Sequence, residues 1–232
     1  MTYYLAGYYL VRPKLISFGP DKGKVVQTCS SCINDNLLDT WAYSWTIPGK
    51  KIEKEIKATF HITDDEIAAI RAWVDKKFEE KKIGWADVFL DQETALTYKQ
   101  LFFAHVPNVQ LMAIYLSEED AIALISEFEP QQSNIGEMGI IHILNKRISE
   151  HEATNEETLG YDFIGVEVGG SFHTFYCNNV TEELLSKLGL TLNSLGLFDR
   201  VDNWKQTHEY LNDEANGLEP VPWVIAKTKL VR

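Results

Sequence analysis

Residues 160–179 read Gly-Tyr-Asp-Phe-Ile-Gly-Val-Glu-Val-Gly-Gly-Ser-Phe-His-Thr-Phe-Tyr-Cys-Asn-Asn. Two runs rich in β-branched and aromatic residues flank the pair Gly169-Gly170. A pair of glycines suits a two-residue hairpin turn, because both central positions of such a turn need positive φ. The sequence therefore predicts that residues 161–168 and 171–178 form paired antiparallel strands.

A turn of two residues also fixes the register of this hairpin. It places Val166 opposite His173 and Asp162 opposite Cys177, with all four side chains on one face, since side chains alternate with period two. Both faces of the hairpin are mostly apolar. We therefore expect the hairpin to lie centrally in a sheet that is covered on both sides.

The same register decides how His173 and Cys177 are interpreted. On a straight strand they lie about 13 Å apart, at ~3.3 Å per residue. A thiolate–imidazole pair needs hydrogen-bond distance, roughly 3 Å. A core histidine with one hydrogen-bond partner is the expected role of His173, and an acid–base or ligand-binding role is the alternative.

The chain is acidic, and the acidity is uneven. It has 232 residues, with 34 acidic and 22 basic side chains and a formal net charge of −12. Residues 117–167 hold 12 acidic and two basic side chains, a net charge of −10, whereas the first sixty residues are slightly basic. Such acidity argues against binding to nucleic acid or to an anionic membrane and permits a basic protein partner. A solvated surface that keeps the protein soluble is the alternative interpretation.

Strand and helix signals do not alternate strictly, which favours an α+β fold with a largely antiparallel sheet and helices packed on it. We predict one domain over residues 1–232, with a seam near residues 84–91 as the alternative. Residues 3–11 and 24–28 are expected to form an opening hairpin around the turn at residues 21–23, and residues 224–231 a last strand.

Helix starts are marked by residues that cap exposed backbone donors. Thr63 begins a capping box with Glu66, and Asp91, Ser117 and Thr181 each precede an apolar helical repeat. Residues 139–148 are ambiguous and are assigned to a helix. The polar, acidic residues 145–159 are expected to form a mobile connection.

No motif for catalysis or cofactor binding is recognisable. The chain lacks a phosphate-binding glycine loop, a nucleophile elbow and a zinc-protease signature. Cys29 and Cys32 form a lone Cys-x-x-Cys pair, and the spacing of His173 and Cys177 on a strand is too wide to complete a zinc site. We therefore predict no metal and no cofactor. The chain shows no signal peptide or membrane span, so a cytoplasmic location is expected.

Four short segments resemble a group of uncharacterised bacterial proteins. They are Gly-Tyr-Asp-Phe-Ile-Gly at 160–165, Ser-Phe-His-Thr-Phe-Tyr-Cys-Asn at 171–178, Leu-Asn-Ser-Leu-Gly-Leu-Phe at 192–198 and Glu-Pro-Val-Pro-Trp at 219–223. Such proteins are similar to the immunity proteins encoded beside secreted polymorphic toxins. The resemblance implies a cytoplasmic antidote that binds one cognate toxin, and it implies no catalytic residues.

Two functional hypotheses follow, and both leave the oligomeric state open. The first is an immunity-type protein that binds a basic toxin through its acidic region, with five first candidates for the interface: Glu118, Glu119, Asp120, Glu127 and Glu129. The second is a small hydrolase or ligand-binding protein. Its site would combine Asp162 and His173 with the aromatic side chains of Trp41 and Trp45.

Overall fold

The structure is a computed structural model of the chain. It describes residues 2–17, 19, 21–28, 30, 33–37, 57–84, 88–128, 139–152, 155–166, 172–177, 181–200 and 204–232. The strands are β1 (Tyr3–Arg12), β2 (Asp35–Asn36), β3 (Gln110–Ser117), β4 (Glu156–Val166), β5 (Phe172–Thr174) and β6 (Trp223–Val231). The helices are α1 (Asp64–Glu79), α2 (Gln92–Phe102), α3 (Glu118–Phe128), α4 (Ile140–Leu144), α5 (Glu182–Leu188) and α6 (Trp204–Leu211). Short 3₁₀ turns follow β5 at Phe175–Cys177 and α6 at Glu214–Asn216.

The described strands form one antiparallel sheet in the order β2-β1-β3-β6-β4-β5. Strands distant in sequence are neighbours, since β6 at the end of the chain lies between β3 and β4. Helices occupy the connections and pack on the sheet. This confirms the predicted α+β fold.

The β4–β5 hairpin forms, but its second strand is shorter than predicted and its register differs by one residue. Gly165 pairs with His173 and Ile164 with Thr174, so His173 does not face Val166. After Thr174 the backbone turns into the 3₁₀ segment. The assumption of a straight strand as far as residue 178 is therefore wrong, and with it the distance of about 13 Å that the strand spacing gave for His173 and Cys177.

Both faces of β4 are buried over residues 162–166, the end of the strand that forms the hairpin. Ile164 and Val166 belong to the large core under β1 and β3, whereas Phe163 packs in a second cluster with residues of α5 and α6. Because successive side chains of β4 point to opposite faces of the sheet, this one strand contributes to both apolar clusters. The hairpin is not central, however, because β5 is the last strand in the described sheet.

Three predicted helix starts are confirmed in detail. Thr63 and Glu66 form a complete capping box at α1, and the side chains of Asp91 and Thr181 accept backbone N–H bonds at α2 and α5. Each cap satisfies donors that have no partner within the helix. Each cap involves residues within one helical turn, which is why the sequence alone predicts it.

The predicted opening hairpin is wrong. Residues 21–23 do form a turn, but residues 26–28 are not in a strand, and Leu15 and Val25 share only an isolated bridge. β1 pairs instead with β3 and, at its end, with β2. Long-range pairing with the apolar β3 strand satisfies more of the backbone of β1 than the short polar turn could.

The acidic connection also differs from its prediction. β4 begins at Glu156, so the last residues of the predicted mobile loop belong to the sheet. Before it, Glu150 accepts hydrogen bonds of 2.9 and 2.8 Å from Lys227 Nζ and lies 3.3 Å from Lys229 Nζ. Burial of Glu150 opposes its ionisation, but the two lysines hold the pKa of this carboxyl below its usual range. The Glu150 carboxylate therefore links this connection to β6 through two lysines.

Candidate partner-binding surface

Helix α3 presents part of the acidic sequence to solvent. Its exposed face carries Glu118, Glu119 and Glu127. Glu118 accepts a hydrogen bond of 3.3 Å from the Tyr4 hydroxyl at the edge of this face. Glu129 lies outside the described residues. The structure thus leaves three of the five predicted interface carboxylates on one helix surface.

Asp120 differs from the others because it is buried. It is 6% exposed, and its carboxylate accepts a hydrogen bond of 2.8 Å from Ser117 Oγ, while its own N–H donates to that hydroxyl at 3.1 Å. This is a helix cap of the Ser-x-x-Asp type. Burial raises the pKa of Asp120, and the bond from Ser117 opposes the increase. The expectation that Asp120 is a surface charge is therefore wrong.

A small crevice separates α3 from α6. It encloses about 210 Å³, with Glu119 and Ala123 on one side and Trp204, Lys205 and Glu209 on the other. At its base His208 Nε2 lies 4.0 Å from Asp120 Oδ1. In a catalytic triad the histidine accepts the hydroxyl proton of the nucleophilic serine. Here the Ser117 hydroxyl donates to Asp120 instead. The arrangement therefore serves as a helix cap and does not match a catalytic triad.

A second, larger groove continues from the end of α6. It encloses about 360 Å³ between α3 and residues 211–222. Its carboxylates are Glu127, Asp213, Glu214 and Glu219. We call it the proline groove, because Pro220 and Pro222 form part of its wall.

The two depressions and α3 form one acidic surface. Their described lining holds seven carboxylates: the buried Asp120, and Glu119, Glu127, Glu209, Asp213, Glu214 and Glu219. Lys205 and His208 are the basic side chains among their described lining residues. Ile122, 49% exposed, is one helical turn from Glu119 and so shares its face of α3. The acidic surface therefore combines negative charge with an exposed apolar side chain.

Asp162 and His173 do not form the alternative ligand site. Thr174 pairs with Ile164, so its side chain shares a face with Asp162, whereas His173 pairs with Gly165 and lies on the opposite face. The proposed combination is therefore wrong. Trp41 and Trp45, which were to complete that site, lie outside the described residues.

Asp162 has a different environment from the one expected. It is 1% exposed, and it accepts hydrogen bonds from Thr28 Oγ1 at 2.7 Å and from Thr174 Oγ1 at 3.1 Å. Burial raises the pKa of Asp162 to about 6, and the two hydroxyl groups oppose this increase. The carboxyl joins the segment before β2 to the β4–β5 hairpin. Its enclosure supports a structural role, because a catalytic group must reach its substrate.

The cysteine predictions remain predictions. Cys29, Cys32 and the side chain of Cys177 lie outside what the structure describes. Within the described ranges, no three or more His, Cys, Asp or Glu side chains are grouped as metal ligands would be. Among the helices that the structure describes, none is long and apolar enough to cross a bilayer.

Compared with models of known protein families, with curated proteins and with solved structures, the chain has no match. The resemblance to immunity proteins is therefore carried only by the four short segments in the sequence. Of the last segment, residues 219–222 form a wall of the proline groove.

Proposed function

We propose that this chain is an immunity-type binding protein, which neutralises a basic toxin by occupying its surface. The acidic surface on α3, α6 and residues 212–219 is the recognition face. The observation that carries the proposal is the concentration of seven carboxylates around two depressions that are both lined by residues of α3 and α6. Neutralisation by binding needs no catalytic group in this chain.

Electrostatics supports a basic partner. Charges of one sign that line a cleft raise the local concentration of an oppositely charged partner and speed its association by roughly 10- to 1000-fold. Like charges on a wrong partner are repelled, so the same surface contributes to specificity. A cytoplasmic antidote benefits from both effects, because it must find its toxin before the toxin acts.

The apolar part of the surface supports a lasting complex. Interfaces commonly place an apolar centre inside a polar rim, and the buried centre contributes most of the affinity. Ile122 lies on the same face of α3 as Glu119, and Leu218 and Val221 line the proline groove. Steering by the carboxylates and burial of these side chains would therefore act on one interface.

The direct test is neutralisation of the protein encoded by the neighbouring gene. Cells that produce the neighbouring gene's protein are expected to survive when they also produce the wild-type chain. They are expected to lose this protection with the surface variant Glu119→Lys, Glu127→Lys, Glu209→Lys. The control variant Asp75→Lys, Glu79→Lys, Glu93→Lys changes the net charge equally, at exposed positions on α1 and α2.

The control is matched in helix position as well as in charge. Glu93 and Glu119 lie in the first turns of their helices, so both substitutions oppose the helix dipole similarly. Protection by the control but not by the surface variant supports the proposal. Equal protection by both variants, with copurification of the toxin, would assign recognition to another part of the chain.

A further inference from the structure

The proline groove is built on a rigid frame. Asn212 Oδ1 accepts a hydrogen bond of 3.0 Å from Trp223 N, and Asn212 Nδ2 donates to Trp223 O at 3.1 Å. The indole of Trp223, which is 1% exposed, donates to Glu219 O at 3.1 Å. The end of α6 and residues 219–223 are therefore fixed relative to each other. A preformed groove loses less conformational entropy when it binds a ligand.

The chemistry of the groove is suited to a cation on an apolar stem. Its described lining includes four carboxylates and no lysine, arginine or histidine. Leu211, Leu218 and Val221 provide apolar surface next to these carboxylates. Its volume of about 360 Å³ lies near the lower end of the range of roughly 300–1,000 Å³ for small-ligand pockets. The groove can therefore admit one long side chain together with adjacent backbone.

One buried carboxylate oxygen of the groove has no hydrogen-bond donor within the described part of the chain. Glu219 Oε2 is buried and has no hydrogen-bond partner among the described residues. A buried acceptor without a donor costs about 1–3 kcal/mol, and more when it is charged. If the Glu219 carboxyl turns towards the groove, a cationic N–H donor there would satisfy this oxygen. It would also neutralise the carboxylates around it.

We propose that the proline groove is the anchor site for an arginine side chain of the basic partner. This inference rests on the proposed function and specifies its recognition chemistry. A guanidinium group has five N–H donors in a plane, so it can bind carboxylates on two walls at once, and it is more weakly hydrated than an ammonium group. Its methylene stem would lie on the apolar surface formed by Leu218 and Val221.

The test uses the full chain and short peptides, so it does not need the partner. The probes are acetyl-Gly-Gly-Arg-Gly-Gly-amide and the same peptide with citrulline or lysine in place of arginine. Citrulline keeps the shape of arginine without its charge. The arginine peptide is expected to cause saturable changes in the ¹H–¹⁵N spectrum at Asn212, Glu214 and Glu219. The citrulline peptide is expected to cause none, and the lysine peptide is expected to bind more weakly.

The variant Glu214→Gln, Glu219→Gln is expected to bind the arginine peptide at least about tenfold more weakly, since hydrogen bonds to charged groups contribute factors of this size. The matched variant Glu79→Gln, Glu93→Gln has the same net charge and should bind it like the wild type. A dispersed spectrum shows that each variant folds. The citrulline comparison on the wild type does not depend on any substitution.

Three results would overturn the inference. They are equal binding of the arginine and citrulline peptides, arginine-dependent changes scattered over all acidic surfaces, and unchanged binding by the groove variant. Absence of binding would also reject it. The proposed function would survive each of these, because neutralisation is measured with the partner itself. If the groove binds the arginine peptide but the chain does not neutralise the protein encoded by the neighbouring gene, the proposed partner would be rejected instead.

Discussion

Asp162 is expected to destabilise the folded protein once it ionises. Its pKa is raised by burial from 3.8 to about 6. Between these two values the folded state keeps a proton that the unfolded state releases, so stability falls as the pH rises through this window. The shift of about two pKa units corresponds to about 3 kcal/mol, which is fully lost above the folded pKa.

Asp162→Asn removes this pH dependence without removing the shape of the side chain. The amide oxygen can accept from one threonine hydroxyl, and the amide NH₂ can donate to the other, because Thr28 and Thr174 each both donate and accept. The variant should resemble the wild type near pH 4. At pH 7 it should be more stable than the wild type, by up to about 3 kcal/mol.

The measurement is urea unfolding followed by tryptophan fluorescence, from pH 4 to pH 8. Asp75→Asn, at an exposed position on α1, is the control for the loss of one negative charge. The difference in unfolding free energy between Asp162→Asn and the wild type should increase mainly between pH 4 and pH 6. A constant difference would show that ionisation of Asp162 costs nothing. A difference that decreases with pH would show that a cation stabilises the carboxylate.

Four further substitutions test the packing, a helix cap and the ion pairs of Glu150 by chemical denaturation. Gly196→Ala should cost about 1 kcal/mol for its left-handed backbone and a further 1–3 kcal/mol for overpacking, since its Cβ would lie 2.3 Å from Val26 Cγ2. Gly217→Ala, with the same sign of φ and no atom within 4 Å of the added Cβ, should show only the first cost; equal losses would reject the clash. Thr63→Ala should cost about 1 kcal/mol through loss of the α1 cap, and an unchanged denaturation midpoint would contradict the capping geometry. Glu150→Gln should cost about 3 kcal/mol, because it removes the negative charge that the buried Lys229 and the half-buried Lys227 share. A loss below about 1 kcal/mol would show that these ion pairs behave as exposed ones.

Local features of the fold were readable from the sequence. The capping residues Thr63 and Asp91 act within one helical turn, so their effect needs no tertiary information. The strand at the beginning of the chain and the last strand were identified by their apolar composition. Their partners could not be identified in the same way, because β1–β3 and β3–β6 pairing joins segments far apart in the sequence.

The candidate sites were less predictable, for two physical reasons. A register error of one residue moves every side chain to the other face, and this error placed His173 on the same face of the hairpin as Asp162. The hydrogen bond between Thr28 and Asp162 spans 134 residues and has no local signal. The burial of Asp120 did have one, since Ser117 precedes it by three residues in the pattern of a helix cap.

The acidic surface is tested most directly by the association rate with the protein encoded by the neighbouring gene. For the wild type this rate should fall steeply as salt is added, because the Debye length shortens to about 8 Å at physiological ionic strength. At low salt the variant Glu119→Lys, Glu127→Lys, Glu209→Lys should associate roughly tenfold more slowly. The control Asp75→Lys, Glu79→Lys, Glu93→Lys should stay within about twofold of the wild type. Equal slowing of both variants, or of neither, would contradict recognition through this surface.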